Sequence, residues 1–403
     1  MSTAKLPEWV SCISLTKAVH SISDDEDKVM AVIPIVDSIQ YRNCTILMPI
    51  KVKVQQKDMT TKKLSFVLKA QNSSKFQAKI MSQFKMFFRE DQMYHQILPK
   101  FEEIYSAAGK TVQFGPRAFK LDYNIGANYI LLEDLKAKGF KNADRQGGFD
   151  QLHIKEVLKK LAGFHAVSAV YVEKYGMFSK LFTLGVYTKG NKPILKELND
   201  ADPFLTQLRR WRVGTQFHKR LIDKEKVLID RILDNQTVNP HEFNVLNHSD
   251  CWVNNVMFKN DGFGNIEDIQ LLDYQVVKYG SPAYDLFYTI LSSANRDIKL
   301  EKFDYLVQYY FYYLLENLKF LKFRRPMPEF AKIQEALNNN GIAAYVVVSR
   351  VLPIVMMHGE FEDENSDRYA SKMKCSMFTN RKYIQVMNEV LPWMDARGLL
   401  NWS

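Results

Sequence analysis

The chain has 403 residues, a formal net charge of +10 and 46% hydrophobic residues. This length exceeds one average domain, and the hydrophobic content supports a substantial core. No apolar run approaches the eighteen or more residues that a membrane span needs, and residues 1–7 lack the apolar stretch of a signal peptide, so we expect a cytoplasmic protein without a membrane span.

Charge and cysteine usage exclude two further classes. A positive net charge can attract nucleic acid, but the lysines of this chain are spread along its length. The densest basic block, residues 319–326, lies at the end of a predicted helix, where cations complement the helix dipole. We therefore expect no nucleic-acid partner, and the oligomeric state stays open. The cysteines lie far apart, which favours reduced thiols over a disulfide framework. They are Cys12, Cys44, Cys251 and Cys375.

The first half of the chain predicts alternating strands and helices. Residues 64–70 alternate in polarity around Lys69, which predicts a strand, and residues 84–94 carry apolar side chains at helical spacing around Glu90. Residues 129–135 predict a buried strand that ends in acidic residues. Residues 154–170 predict an amphipathic helix, in which we expect His165 to be a core histidine.

The segment from His248 to Asn255, together with Asp273, carries the strongest chemical signal. Phosphoryl transfer to an alcohol needs a carboxylate beside the attacking hydroxyl, and oxygen ligands that hold magnesium against the phosphates. Asp250 and Asn255 supply one of each, at the interval that protein kinases use in their catalytic loop. Two short apolar runs flank the turn-rich residues 260–265, which predicts a hairpin that returns Asp273 to the loop.

The last part of the chain is predicted to be mostly helical. Apolar residues recur at helical intervals, with Pro326, Pro328 and Gly341 as breaks. The predicted helices cover residues 287–294, 303–320, 333–357 and 381–390.

The pattern His-x-Asp-x-x-x-x-Asn resembles the Brenner motif of aminoglycoside and choline phosphotransferases. The stretch from His248 to Leu286 resembles one family in particular, the insect ecdysteroid kinase-like family, also called CHK kinase-like. The residues that carry this resemblance are Trp252, Asn254, Asn255, Ser281, Pro282, Asp285 and Leu286.

The resemblance implies an α+β fold with two lobes, as in protein kinases. A small β-rich lobe over residues 1–135 would bind the nucleotide, and a large helical lobe over residues 136–403 would carry catalysis and substrate binding. It also implies ATP and Mg²⁺ as cofactors and a small-molecule alcohol as acceptor, with ecdysteroids and hydroxylated xenobiotics as the leading classes.

Roles for the site residues follow from the motif and the resemblance. Asp250 would orient and deprotonate the acceptor hydroxyl, with His248 counted beside it as catalytic, and Asn255 and Asp273 would bind magnesium.

On the nucleotide side, Lys69, fixed by Glu90, would bind the ATP phosphates. Backbone groups at Glu133 and Leu135 would meet adenine.

Two departures from the family pattern keep alternatives open. Residues 37–45, where kinase-like folds close over the phosphates with a glycine-rich hairpin, contain no glycine, and Ser249 stands where glycine is usual. Either Ser38, Asn43 and Thr45 hold the phosphate loop, or nucleotide binding is weakened. In the second case the chain would be a pseudokinase that acts as a binding protein.

A kinase for choline-like or aminoglycoside-like polar alcohols is the other alternative, because such acceptors call for acidic residues around their site. The candidate cluster is Glu360, Glu362, Asp363 and Glu364.

Overall fold

The structure is a computed structural model of the 403-residue chain. It describes residues 15, 18–19, 29–36, 40–42, 45–56, 60–71, 75–120, 129–235, 237–357 and 376–402. The described residues fall into two compact units. The first takes its residues from Met1–Ile97 and Gly115–Lys141, and the second from Leu98–Phe114, Asn142–Gly359 and Ser366–Ser403. The predicted lobe boundary after residue 135 stays a prediction.

An antiparallel sheet forms the body of the first unit. Its described strands follow the order β1, β3, β4, β6 and β5, and β2 pairs with the other end of β3. The strands are β1 Val29–Val36, β2 Gln40–Arg42, β3 Thr45–Gln56, β4 Thr61–Gln71, β5 Ala118–Phe119 and β6 Tyr129–Glu133.

Strict alternation along β3 explains why the sheet has one buried face. Ile50 and Val52 are fully buried, whereas Lys51 and Lys53 between them are exposed. Successive side chains of a strand point to opposite faces, so this sequence fits a half-buried strand. Strand β4 adds Phe66 to the same core, where its ring meets Phe119 edge-on at 5.3 Å.

Two helices of the first unit follow β4. They are α1 Lys75–Gln83 and α2 Met86–Gln92, and a π-helical turn at Met93–Ile97 continues α2.

The second unit is mostly helical. Its described helices are α3 Leu98–Ala107, α4 Gln151–Tyr175, α5 Lys180–Leu184, α6 Lys192–Leu198, α7 Asp202–Leu208, α8 Gly214–Asp234, α9 Ala283–Ser293, α10 Arg296–Lys299, α11 Phe303–Phe320, α12 Phe330–Asn339, α13 Gly341–Val346, α14 Leu352–Val355 and α15 Arg381–Ala396.

Helix α4 is the centre of the second unit. Asp150 caps its first turn by accepting from the backbone N–H of His153 at 2.9 Å. From Ile154 to Val172 most of its side chains are buried, and α4 packs along α11. A helix that is apolar on most faces belongs in the interior of a large unit, and α4 has that position here.

Two small antiparallel ladders complete the second unit. Strand β7 Val245–Asn247 pairs with β10 Lys278–Gly280, and β8 Val256–Asn260 pairs with β9 Ile266–Leu271. In the turn between β8 and β9, Asp261 Oδ1 accepts from the backbone N–H groups of Phe263 and Asn265. The predicted hairpin is confirmed.

The sequence-based prediction of a mixed α+β chain is confirmed, since an N-terminal antiparallel sheet is followed by a mostly helical region. Strand β4, helix α4 and helix α11 lie where the periodicity predicted them. None of the described helices is long and apolar enough to cross a membrane.

A glycine in the left-handed region supports the second unit beside helix α9. Gly148 has φ +71°, and the next residue, Phe149, bonds through its backbone to Ser293 and Asn295 at the end of α9. A Cβ at Gly148 would lie 2.7 Å from the carbonyl oxygen of Ser293. Both the backbone conformation and the contact therefore require glycine.

We expect Gly148→Ala to lower the free energy of unfolding by about 1–2 kcal/mol for the left-handed backbone and a further 1–3 kcal/mol or so for the close contact. Gly264→Ala is the matched control, because Gly264 has φ +89° with nothing within 4 Å of an added Cβ. Gly264→Ala should therefore lower the free energy of unfolding only by the contribution of the left-handed backbone, about 1–2 kcal/mol. Urea unfolding of both variants measures the difference; equal losses would mean that the Ser293 contact relaxes freely.

Candidate active site

The predicted catalytic loop leaves strand β7 and is closed by its own hydrogen bonds. The N–H of Trp252 donates to the carbonyl of Asp250 at 3.1 Å, and the N–H of Asn255 donates to the carbonyl of Trp252 at 2.8 Å. Residues Val253–Asn255 form a single 3₁₀ turn before β8 begins. These bonds fold the loop back on itself, so that Asp250 and Asn255 lie together.

Asp250 and Asn255 are joined directly. The side-chain Nδ2 of Asn255 donates to Asp250 Oδ2 at 2.8 Å and to the Asp250 carbonyl at 2.9 Å. Asn255 is buried, and Asp250 is half-buried. Because the amide nitrogen is turned toward Asp250, the amide oxygen Oδ1 of Asn255 faces away from these bonds.

The hairpin of β8 and β9 brings Asp273 back to the loop. Val256 pairs with Leu271 across the hairpin, and the N–H of Leu272 donates to the carbonyl of Asn255 at 2.8 Å. Asp273 follows with φ +67°. Next to it, Tyr274 is fully buried and its hydroxyl donates to the carbonyl of Phe114 at 2.8 Å.

The buried carboxylate of Asp285, on helix α9, holds the start of the loop. Its Oδ2 accepts from the backbone N–H of His248, and its Oδ1 accepts from the backbone N–H of Ser249, both at 2.7 Å. Asp285 Oδ2 also lies 3.0 Å from Nε2 of the buried His165. The other ring nitrogen of His165, Nδ1, lies 2.7 Å from the hydroxyl of Tyr310. A buried carboxylate must be compensated, and here backbone and imidazole groups compensate it.

His165 is fully buried, as expected of a core histidine.

His248 is fully buried as well. Burial lowers its pKa, although Asp285 and Asp273 act in the opposite direction, so the imidazole is neutral near pH 7. Its Nδ1 accepts from the N–H of Asp250 at 3.3 Å. In this geometry His248 positions the backbone of Asp250, and a catalytic role for it stays a prediction.

Lys69 and Glu90 form a buried ion pair in the first unit. Lys69 Nζ donates to Glu90 Oε2 at 2.7 Å and to Oε1 at 2.9 Å, and both side chains are buried. Strand β4 carries the lysine and helix α2 carries the glutamate, as the spacing in the sequence predicted. The ion pair that the motif predicted is therefore present, and the nucleotide-binding role of Lys69 stays a prediction.

Glu133 and Leu135 lie at the end of strand β6. The N–H of Glu133 donates to the carbonyl of Arg117 at 2.8 Å, and its carboxylate pairs with Lys138. The carbonyl of Leu135 accepts from Lys138 and Phe140. Among the described residues, the N–H of Leu135 has no hydrogen-bond partner, which leaves a backbone donor at the position predicted to meet adenine.

Asn255 and Asp273 suit a magnesium ion. An amide oxygen and a carboxylate are hard oxygen ligands, and Mg²⁺ in nucleotide sites uses one or two carboxylates while phosphates and waters complete its shell. Within the described part of the chain, no cluster of three or more His, Cys, Asp or Glu side chains could hold a metal by itself. By their chemistry, the amide oxygen of Asn255 and the carboxylate of Asp273 are donors of the kind that hold Mg²⁺ together with phosphate oxygens.

Several predicted features lie outside the described residues. Of residues 37–45, the structure describes β2 and Thr45, so the predicted effect of the missing glycines stays a prediction. The acidic cluster of residues 360–364 is also outside. Cys251 is described and fully buried, and burial raises its thiol pKa well above the usual value, as befits a packing residue.

Two residues that contact the loop were not assigned roles from the sequence. Asp285 was noted only as part of a resemblance, although a carboxylate inside the apolar run of α9 is itself a signal of a buried acceptor. Tyr288, also on α9, donates to Asp250 Oδ1 at 2.5 Å. No local pattern marks this tyrosine, because the contact spans 38 residues of sequence.

We expect Asp285→Asn to destabilise the protein by about 1–3 kcal/mol. An asparagine offers one acceptor oxygen to the three donors from His248, Ser249 and His165, so at least one buried donor loses its partner. Thermal unfolding measures the change. Asp297→Asn, at an exposed position in helix α10, is the control and should leave the melting temperature unchanged; equal behaviour of the two variants would contradict the anchoring role.

Comparison with known proteins agrees with this geometry. No curated protein matches the sequence. The profile of the ecdysteroid kinase-like family matches residues 41–323, a range that includes Lys69, Glu90, Asp250, Asn255 and Asp273. The match covers more than half of the chain and implies a kinase-like fold. This chain therefore belongs to the ecdysteroid kinase-like family.

Proposed function

We propose that this protein is an ATP-dependent kinase that phosphorylates a hydroxyl of a lipophilic small-molecule alcohol, such as an ecdysteroid or a hydroxylated xenobiotic. Family membership supports a small-molecule kinase in general, and the acceptor class follows from the family's name. The observation that supports the proposal is the pairing of Asn255 with the Asp250 carboxylate, next to the backbone bond from Leu272 to Asn255 that brings the chain back to the loop just before Asp273.

The nucleotide side of the proposal rests on the first unit. Lys69 would bind phosphate oxygens of ATP, and Glu90 would keep its ammonium group in place. The N–H of Leu135, which has no partner among the described residues, would donate to the adenine ring, with Glu133 beside it. ATP is thus the proposed donor.

The catalytic side rests on the second unit. Asp250 would accept a hydrogen bond from the acceptor hydroxyl, orient it for in-line attack and take its proton. As the new O–P bond forms, the bond between the γ-phosphorus and the β–γ bridging oxygen breaks and ADP leaves. Asn255 and Asp273 would bind Mg²⁺, which supplies charge neutralisation at the phosphates when present. Because the transition state is loose, most of the work of these residues would be positioning.

Transfer of radiolabelled γ-phosphate from ATP to a panel of alcohols tests the function. The panel contains an ecdysteroid, a hydroxylated xenobiotic, choline and an aminoglycoside. A melting-temperature rise with ATP and Mg²⁺ is measured beside it, since a ligand at one hundred times its dissociation constant adds about 2.7 kcal/mol of stability. Transfer to the first two acceptors supports the proposal, and transfer to the last two favours the polar-alcohol alternative.

Stabilisation by ATP without transfer to any acceptor would support a binding protein instead. Absence of both stabilisation and transfer would contradict the proposal.

Within the active enzyme, we expect Asp250→Asn to reduce kcat by about 10²–10⁴-fold, because it removes the general base. The rise in melting temperature with ATP and Mg²⁺ should persist, since the phosphate-binding groups are untouched. Asp234→Asn, at an exposed position at the end of α8, is the matched control. Near wild-type turnover in Asp250→Asn would remove Asp250 from the mechanism.

A double replacement separates the nucleotide role of Lys69 from its structural role. Lys69→Met alone leaves the Glu90 carboxylate buried without its partner, and we expect it to cost about 3–5 kcal/mol of stability. Lys69→Met with Glu90→Leu replaces the whole pair by apolar groups, so most of that stability should return. Stabilisation by ATP should be lost in both variants.

Lys63→Met is the control, because Lys63 lies exposed on the same strand β4. It should change neither unfolding nor the response to ATP. If the double variant still responds to ATP as wild type does, Lys69 is structural and the nucleotide assignment is wrong.

A further inference from the structure

The ends of helices α4 and α11 meet at one place on the second unit. Glu173, in the last turn of α4, accepts through its Oε1 from the backbone N–H of Arg324 at 2.9 Å and from that of Arg325 at 3.0 Å. These bonds join the end of α4 to the segment that follows α11. We call residues 174–177 and 319–327 together the end surface.

Large apolar side chains of the end surface are open to solvent. Four of them are exposed by between 38% and 60%, although burial of such side chains is favourable. They are Tyr175, Met177, Phe320 and Met327. The Tyr105 ring stacks on Phe320 at 6.3 Å, and Lys100 Nζ lies 5.2 Å from the centroid of the Tyr175 ring. Both rings are therefore supported by the protein while a large part of each stays accessible.

The same surface carries a concentration of positive charge. Residues 174–177 and 319–327 contain five lysines or arginines and no acidic residue. The five are Lys174, Lys319, Lys322, Arg324 and Arg325.

The helix dipole accounts for only one of these cations. Helix α11 ends at Phe320, and Lys319 is the basic residue of its last turn, where it also pairs with Glu316 at 3.5 Å. Lys322 has φ +57°, the left-handed conformation that closes a helix. Because the influence of the dipole falls off within the last turn, the cations beyond Lys319 need another explanation.

Those remaining cations make no ion pair within the described part of the chain. Glu173, the carboxylate that contacts this segment, accepts from two backbone N–H groups and from no cationic side chain. The side chains without a described acidic partner are Lys174, Lys322, Arg324 and Arg325. Their charge is therefore available to an anionic partner.

We propose that the end surface binds the face of a lipid bilayer that contains anionic lipids. Such a bilayer complements both features of the surface, since its headgroups are negative and its interior is apolar. Nucleic acid is also negative, but the side chains of Met177 and Met327 have neither a hydrogen-bond donor for a base edge nor a ring that stacks on a base. The binding is attachment at the membrane surface, which is distinct from a membrane span.

The inference is independent of the proposed function, because it rests on the end surface and not on the catalytic loop. Where both hold, they have a joint consequence. A lipophilic alcohol partitions into a bilayer, so an enzyme held at the bilayer would meet its acceptor at a raised local concentration.

Co-sedimentation of the full-length protein with lipid vesicles tests the inference, without nucleotide or acceptor. Vesicles of phosphatidylcholine mixed with phosphatidylserine should bring the protein into the pellet, and vesicles of phosphatidylcholine alone should bring down much less. Protein that stays in the supernatant with both kinds of vesicle would overturn the inference.

Arg324→Gln with Arg325→Gln removes two of the cations and keeps the backbone N–H groups that bond to Glu173. Each cation near an anionic membrane surface strengthens binding by about fivefold. We therefore expect the affinity for the phosphatidylserine vesicles to fall about 25-fold in this double variant.

Arg209→Gln with Arg210→Gln is the matched control. These two exposed, adjacent arginines follow helix α7, which packs against α8. The control lowers the net charge by the same amount, but we expect its vesicle affinity to change by less than about twofold, because distant exposed charges are screened. Equal losses in the two double variants would mean that overall positive charge drives binding, and the assignment to the end surface would be wrong.

Met177→Gln with Met327→Gln distinguishes a bilayer from other polyanions. Both side chains are exposed, so the melting temperature should stay that of wild type, whereas vesicle affinity should fall about 5- to 10-fold because less apolar area is inserted. Binding of a fluorescent DNA duplex should not change. If this variant binds vesicles as wild type does, while the variant at Arg324 and Arg325 loses vesicles and DNA alike, the surface is a general polyanion site and the bilayer assignment is overturned.

Discussion

The carboxylate of Asp285 accepts hydrogen bonds from two successive backbone N–H groups, and the shape of the catalytic loop depends on those bonds. A charge buried this deeply costs several kcal/mol unless donors surround it. Two of these donors are backbone N–H groups of the catalytic loop. The bonds that compensate the Asp285 charge therefore also fix the loop. His165 and Tyr310 extend the network into α4 and α11, the two long helices of the second unit.

Two of the four described non-glycine residues with a positive φ lie at the same place. Ser249 and Asp273 have φ of +64° and +67°, a region that disfavours side chains with a Cβ. Such residues cost about 1–3 kcal/mol each and persist only where the surroundings over-determine them. At Ser249 the Asp285 carboxylate supplies that constraint. A glycine would relieve the strain at Ser249, whereas a glycine at position 273 would remove the carboxylate that is proposed to bind the metal.

Local periodicity was enough to predict β4, the β8–β9 hairpin, α4 and α11, since each of these elements has an apolar pattern with a single period. The motif interval also predicted that Asp250 and Asn255 lie together, and they do. Sheet order could not be predicted, because the pairing of β4 with β6 joins segments that are distant in sequence. The contacts of Asp285 and Tyr288 with the loop were missed for the same reason, since a side chain's partner across 36 or more residues leaves no local trace.

The path of the chain between the two units has a consequence for how the protein can be divided. The chain leaves the first unit after Ile97, returns at Gly115 and leaves again after Lys141. In the excursion, Phe101 and Phe114 pack around Phe164 of α4, with ring centroids 5.5 and 5.6 Å away. A fragment ending at Lys141 would carry both rings without Phe164 and expose an apolar patch prone to aggregation. No single cut in the chain separates the two units completely, so both units have to be expressed together as one chain.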